Sequence, residues 1–199
     1  RHHPQRLFLR TAREGLLRST DAGATWQRTT AAFLGGAGLP WFVDVDPDHP
    51  GVLLSGNMNT GVYRSADDGA TWRNVLSEPT AVLLRSPADS RVVFATSALG
   101  APLRRSDDGG TTWTPAGPNP PELWRVQTVV PDPHRSDVLY MGGAVLHRSE
   151  DGSQIGGAIF RSEDSGATWQ HVFSQVDTWI WAVAVDPWRP EVLYAGSGG

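Results

Sequence analysis

Apolar residues fall along this chain in short runs separated by Gly, Pro, Asp and Ser. Four runs are alike: Val52-Leu53-Leu54, Val92-Val93-Phe94, Val138-Leu139-Tyr140 and Val192-Leu193-Tyr194. Each begins five residues after a proline, in Asp46-Pro47, Ser86-Pro87, Asp132-Pro133 and Asp186-Pro187. Runs this short, bounded by turn residues and rich in β-branched side chains, predict strands. No stretch sustains a 3.6-residue apolar period, so almost no helix is expected.

A second pattern lies between these runs. Ser19, Asp21, Gly23, Thr25 and Trp26 define the spacing Ser-x-Asp-x-Gly-x-Thr-Trp. It returns as Ser65, Asp67, Gly69, Thr71 and Trp72, as Ser106, Asp108, Gly110, Thr112 and Trp113, and as Ser162, Asp164, Gly166, Thr168 and Trp169. The box tryptophans are 46, 41 and 56 residues apart. Each full unit yields four short strands, which in the second unit cover about 41–45, 52–55, 61–65 and 71–75. A repeat of this length with four antiparallel strands is the signature of a propeller blade.

The expected fold is therefore all-β: a β-propeller of four-stranded antiparallel blades with about four repeats, either a closed small propeller or a segment of a larger one. One domain, 1–199, divides at about 1–30, 31–76, 77–117 and 118–174, with a partial unit at 175–199. The phase of the repeat favours the segment, because Leu7-Phe8-Leu9 and Val192-Leu193-Tyr194 claim the same blade position. Closure into four blades would require the strand near Trp181 to Val185 to complete the first blade. Without it, open edges invite association with another chain.

The boxes resemble those of the Asp-box, or BNR, propellers, which include sialidases, xyloglucan-hydrolysing endoglucanases, sortilin-type receptors and photosystem II assembly factors. The likeness covers essentially the whole chain. It implies an extracellular or periplasmic setting in a bacterial protein, but the family spans enzymes and pure binders, and a fold alone does not choose between them.

The box residues read as scaffold. Ser and Asp side chains bond the backbone of a turn, Gly takes positive φ, and Trp opens the last strand with a large ring to bury between hairpins. Other acidic and basic signals weaken on inspection. Asp44-x-Asp46-x-Asp48 begins like a calcium loop, but Pro47 and the missing Gly and Glu positions break it. The histidines lack zinc-ligand spacing, so neither metal nor cofactor is expected.

In a four-stranded meander both repeated motifs lie on one face. Function is then expected on the opposite, variable face, in the loops between second and third strands and between blades. That face collects Trp41, Trp124, Trp179 and Trp181 beside Arg13, Glu14, Asn57, Asn59 and Gln127. Trp188 sits instead in a proline turn and reads as structural. The fourth unit also carries Arg148-Ser149-Glu150-Asp151-Gly152, an imitation of a box start that lengthens it. The plainer reading is an extended hairpin; the sharper is a binding loop around Gly152–Gly157.

Glycoside hydrolysis needs two carboxylates facing one another across the scissile bond. The resemblance to xyloglucan hydrolases implies a catalytic Asp in an Asp-Ile-Gly-Gly loop, and the matching stretch here is Gln154-Ile155-Gly156-Gly157. An amide cannot act as general acid or base. The resemblance to sialidases implies a Tyr nucleophile, but Tyr63, Tyr140 and Tyr194 stand at repeated strand positions and read as packing residues. No catalytic residue is assigned. The expectation is a non-catalytic binding or scaffold propeller recognising a glycan or a protein or peptide partner through Trp41, Trp124, Trp179, Trp181, Arg13, Asn57, Asn59 and Gln154. A glycoside hydrolase, or a fragment of one, is the alternative.

Composition narrows the partners. A net charge of -4, with 17 basic residues not gathered into a run, leaves no electrostatic footprint for nucleic acid. No apolar stretch is long enough to insert in a bilayer as a helix. The 22 Gly and 15 Pro fit a turn-rich fold, and a chain of 199 residues without Cys can bury a core unaided by disulfides.

Overall fold

The structure is a computed structural model that describes residues 5–11, 14–29, 40–96, 101–149 and 152–198. Among these residues all regular structure is strand, in five antiparallel sheets. The first sheet holds β1 (Leu7–Thr11), β2 (Gly15–Ser19) and β3 (Gln27–Arg28). The second holds β4 (Phe42–Val45), β5 (Leu53–Asn57), β6 (Gly61–Ser65) and β7 (Arg73–Leu76). The third holds β8 (Val82–Arg85), β9 (Val93–Thr96), β10 (Leu103–Ser106) and β11 (Thr114–Gly117). In the fourth are β12 (Leu123–Pro131), β13 (Leu139–Ser149), β14 (Gly152–Ser162) and β15 (Gln170–Val176). A fifth sheet has β16 (Trp179–Val185) and β17 (Leu193–Gly198). Strands pair in sequence order, as a meander; among the described residues β1 pairs with β2 and β17 with β16.

All four boxes fold alike because each Asp binds its own turn. In the second box Ser65 Oγ donates to Asp67 Oδ1 at 2.8 Å and accepts from the Gly69 amide at 2.9 Å. Asp67 also accepts from the Thr71 amide at 2.8 Å and the Thr71 hydroxyl at 2.6 Å. The same bonds recur at Asp21, Asp108 and Asp164. Donors aimed at a carboxylate favour its charged form. The Thr25 hydroxyl, then the Thr25 amide, pull Asp21 down to about 2, and Thr71 and Thr168 likewise lower Asp67 and Asp164. At Asp108 burial pushes the other way and is outweighed by Thr112.

The box glycine answers two demands. Gly110 has φ +84, and a Cβ there would lie 2.6 Å from Leu54 Cδ1 of the preceding sheet; a Cβ on Gly166 would meet Leu103 at the same distance. The third and fourth boxes thus lie on the core of the sheet before them. Arginines cross the same seams. Arg18 and Arg64 donate to the carbonyls of Asp68 and Gly109 in the next sheet at 3.5 and 3.4 Å, and Arg105 donates to Ser165 Oγ. Every one of these acceptors is the positive-φ residue just after a box Asp. Apolar clusters fill the seams: Leu54, Val62 and Val93 between the second and third sheets, Phe94, Leu103, Met141 and Phe160 between the third and fourth. Ile159, Ile180 and Val183 close the last one.

Several expectations are corrected. The box tryptophans are not fully buried: Trp72, Trp113 and Trp169 are half-buried, Trp113 and Trp169 packed against the seam clusters, and Trp26 is exposed. Trp72 Nε1 donates to the Gly69 carbonyl at 3.0 Å. Trp188 is 86% exposed, since only its backbone amide serves the turn, bonding Asp186 at 2.9 Å. Tyr140 is buried but Tyr194 is exposed on β17. At Gly152–Gly157 the plainer of the two readings holds, an extended hairpin rather than a loop: the stretch is strand, paired from Ser149↔Gly152 to Val145↔Gly156 at the end of β13–β14.

Candidate functional site

The first strands of successive sheets, β4, β8, β12 and β16, pack one against the next and so form the hub. A buried ionic cluster locks part of it. Arg85 on β8 donates to Asp44 at 2.9 and 2.5 Å and to Asp46 at 3.2 Å, across to β4. Burial raises the pKa of Asp44 against the pull of Arg85. Asp46 also accepts the Asp48 and His49 amides at 2.9 and 3.1 Å, so the calcium-like triplet is a turn plus an ion pair. Among the described residues no group of His, Asp or Glu is arranged to hold a metal ion.

Toward the start of two of these strands, β12 and β16, on the side away from the boxes, the regular ladder breaks. The β12–β13 register shifts between Val126 and Thr128, and the β16–β17 register between Ile180 and Ala182. The extra residues are Gln127 and Trp181. Both stand five residues before the Asp of their proline turns, the position held by Trp41 before Asp46 and by Ala81 before Ser86. A bulge inserts one unpaired residue and re-aims its side chain. A second shift, between Leu123 and Arg125, does the same for Trp124. Gly143 makes that bulge possible, for a Cβ there would lie 2.0 Å from the Arg125 carbonyl oxygen.

The bulges gather three of the four candidate tryptophans. Trp179 stacks on Trp181 with centroids 5.4 Å apart and planes at 29°, and meets Trp124 edge-on at 6.1 Å. Trp124 and Trp181 are 48% and 52% exposed, whereas Trp179 is half-buried as the pillar between them. Arg125 places its guanidinium carbon 5.8 Å from the Trp179 centroid. Trp41, 55% exposed, stands on the same rim two sheets away, its amide bonded to the Gly56 carbonyl at 2.7 Å.

The polar candidates divide. Asn57 is buried, and its Oδ1 accepts the Asn59 amide, the Thr60 amide and the Thr60 hydroxyl at 2.8, 3.0 and 3.1 Å. It therefore shapes the β5–β6 turn on which Asn59 is exposed. Arg13 and the side chain of Gln154 lie outside the described residues; the backbone of Gln154 pairs with that of His147 in the hairpin. Sequence reasoning passed over Arg125. The available signal was positional, since Arg125 stands seven residues before Asp132 as Trp179 does before Asp186.

Fold and rim together define an Asp-box β-propeller with an aromatic patch at one end of its hub strands. The Sortilin-Vps10 family (sortilin, neurotensin receptor 3) matches residues 60–195, more than half of the chain, and the chain belongs to that family. It is also similar to a xyloglucanase of a Paenibacillus species, 28% identical over 80% of this chain and 13% of that protein. The GH74 xyloglucanase from Xanthomonas campestris shares its fold at a TM-score of 0.69, with 22% identity over 97% of this chain and 33% of that one. A structure of YCF48 bound to D1 peptide does so at 0.52, with 18% identity over 96% and 71%. The chain thus spans a small part of the xyloglucanases it matches.

Proposed function

We propose that this propeller binds a glycan or an extended peptide on its rim and does not turn it over. The reading rests mainly on one observation: bulges in the β12–β13 and β16–β17 ladders leave Trp124 and Trp181 half-exposed on a shared pillar, Trp179. Large aromatic faces held rigid in this way suit sugar rings or peptide side chains, because ordering them costs little on binding. Trp41 and Asn59 would extend the contact along the rim. The relatives are named for both ligand classes, xyloglucan and a peptide.

The second reading is a hydrolase, favoured by the similarity to xyloglucanases and by two acids, Glu122 and Asp177, each two residues before a rim tryptophan. Binding screens against xyloglucan oligosaccharides and peptide libraries, together with a reducing-sugar assay on xyloglucan, separate the two. Binding without sugar release is the expected outcome. Release of reducing ends that stops in Glu122→Gln or Asp177→Asn would overturn the binding-only reading.

A further inference from the structure

The wall that carries Trp124 and Trp181 also holds two nitrogen donors with nothing to bond. Arg125 Nε and Gln127 Nε2 are shut off from solvent and have no hydrogen-bond partner. Such groups are rare, because leaving a buried donor unmade costs more than a formed bond returns. Other half-buried or buried arginines are committed: Arg85 to Asp44 and Asp46, Arg104 to Glu78, Arg105 to Asp107. Arg125 makes no ion pair among the described residues. It stands against Trp179 instead.

We infer that this corner of the rim is a subsite for a carboxylate-bearing sugar, a uronate unit of an acidic glycan. The inference rests on the reading that the rim tryptophans bind a ligand. A guanidinium fork matches a carboxylate in bidentate geometry, and charge-assisted bonds of this kind are the strong ones. Arg125 lies beside a bulge, is half-buried and stands against Trp179, so its guanidinium is positioned before a ligand arrives. An acidic peptide would satisfy the charge as well. A pyranose ring satisfies more of the site, because its rigid apolar face suits the exposed indoles while its carboxylate pairs with the half-buried Arg125 guanidinium.

The test is a pair of titrations at equal ionic strength, with tetragalacturonic acid and with its carboxyl-reduced counterpart, tetragalactose. The acid is expected to bind about 10- to 100-fold more tightly, the range of one good hydrogen bond to a charged group. Arg125→Gln should bring the two affinities together, and Arg125→Lys should retain part of the preference by charge alone. The wild-type comparison requires no variant to fold, and melting temperatures qualify the variants. Equal binding of the two oligosaccharides overturns the uronate subsite and leaves the rim reading intact. Binding of neither, or of a polyglutamate peptide in their place, overturns the subsite too. Acid preference that survives Arg125→Gln moves the recognition elsewhere and also overturns it.

Discussion

The two ends of the sheets obey opposite rules. On the box face four turns are built from the same residues and the same bonds, and each Asp accepts from its own Thr and Ser. On the rim the units diverge: one equivalent position holds Trp41, Ala81, Gln127 and Trp181 in turn, so only the first and last of these agree. There the β12–β13 and β16–β17 ladders bulge, and Trp41, Trp124 and Trp181 are exposed. Repetition marks what every blade needs in order to pack on its neighbour. Departure from it marks what only the assembled arc can offer a ligand.

The sharpest way to break this division is to damage the box face. Gly110→Ala puts a methyl group 2.6 Å from Leu54 and an L side chain at φ +84. Strain and overpacking together should cost about 2 to 4 kcal/mol in denaturant unfolding. A loss under about 0.5 kcal/mol would mean that the seam between the second and third sheets is loose. Trp72→Ala comes next. Removing a fully buried Trp costs about 3 to 5 kcal/mol, so the half-buried ring should cost less, and a value within that range would mean that the box tryptophans are core after all.

Acid probes all four boxes together. Asp21, Asp67, Asp108 and Asp164 are held below the usual carboxylate range in the folded chain. Lowered pKa values give stability that is present above the unfolded value near 3.9 and is lost as pH falls through the folded ones. The melting temperature should therefore fall from about pH 4 toward about pH 2, and Asp21→Asn should flatten part of that slope. An unchanged melting temperature over this window would contradict the bonding described. Smallest in stability is the rim, where Trp124→Ala should shift unfolding by about 0.5 kcal/mol or less, as exposed substitutions do.

Much of the fold was legible because the box and the proline turn recur at fixed offsets, and each carries its own local bonding. Strands expected at about 41–45 and 61–65 appear at Phe42–Val45 and Gly61–Ser65. The rim was legible only as a set of tryptophans outside the repeat. That Trp124, Trp179 and Trp181 meet depends on bulges, and a bulge is a matter of register between strands that no single run of residues announces. Trp188 was misread for a related reason: a turn position says what the backbone does, not where the ring goes. Asn57 lost its apparent freedom to an Asx-type turn whose partners, Asn59 and Thr60, stood beside it in the sequence.

The most direct test is a combined glycan and peptide array probed with the wild-type protein and with Trp181→Ala, both checked for the same melting temperature. If the rim recognises a ligand while the boxes hold the fold, the wild-type protein marks a defined set of spots and Trp181→Ala, equally stable, loses them. An identical pattern from both proteins, or a loss of binding that comes with an equal loss of stability, would return Trp181 to the scaffold and contradict the account.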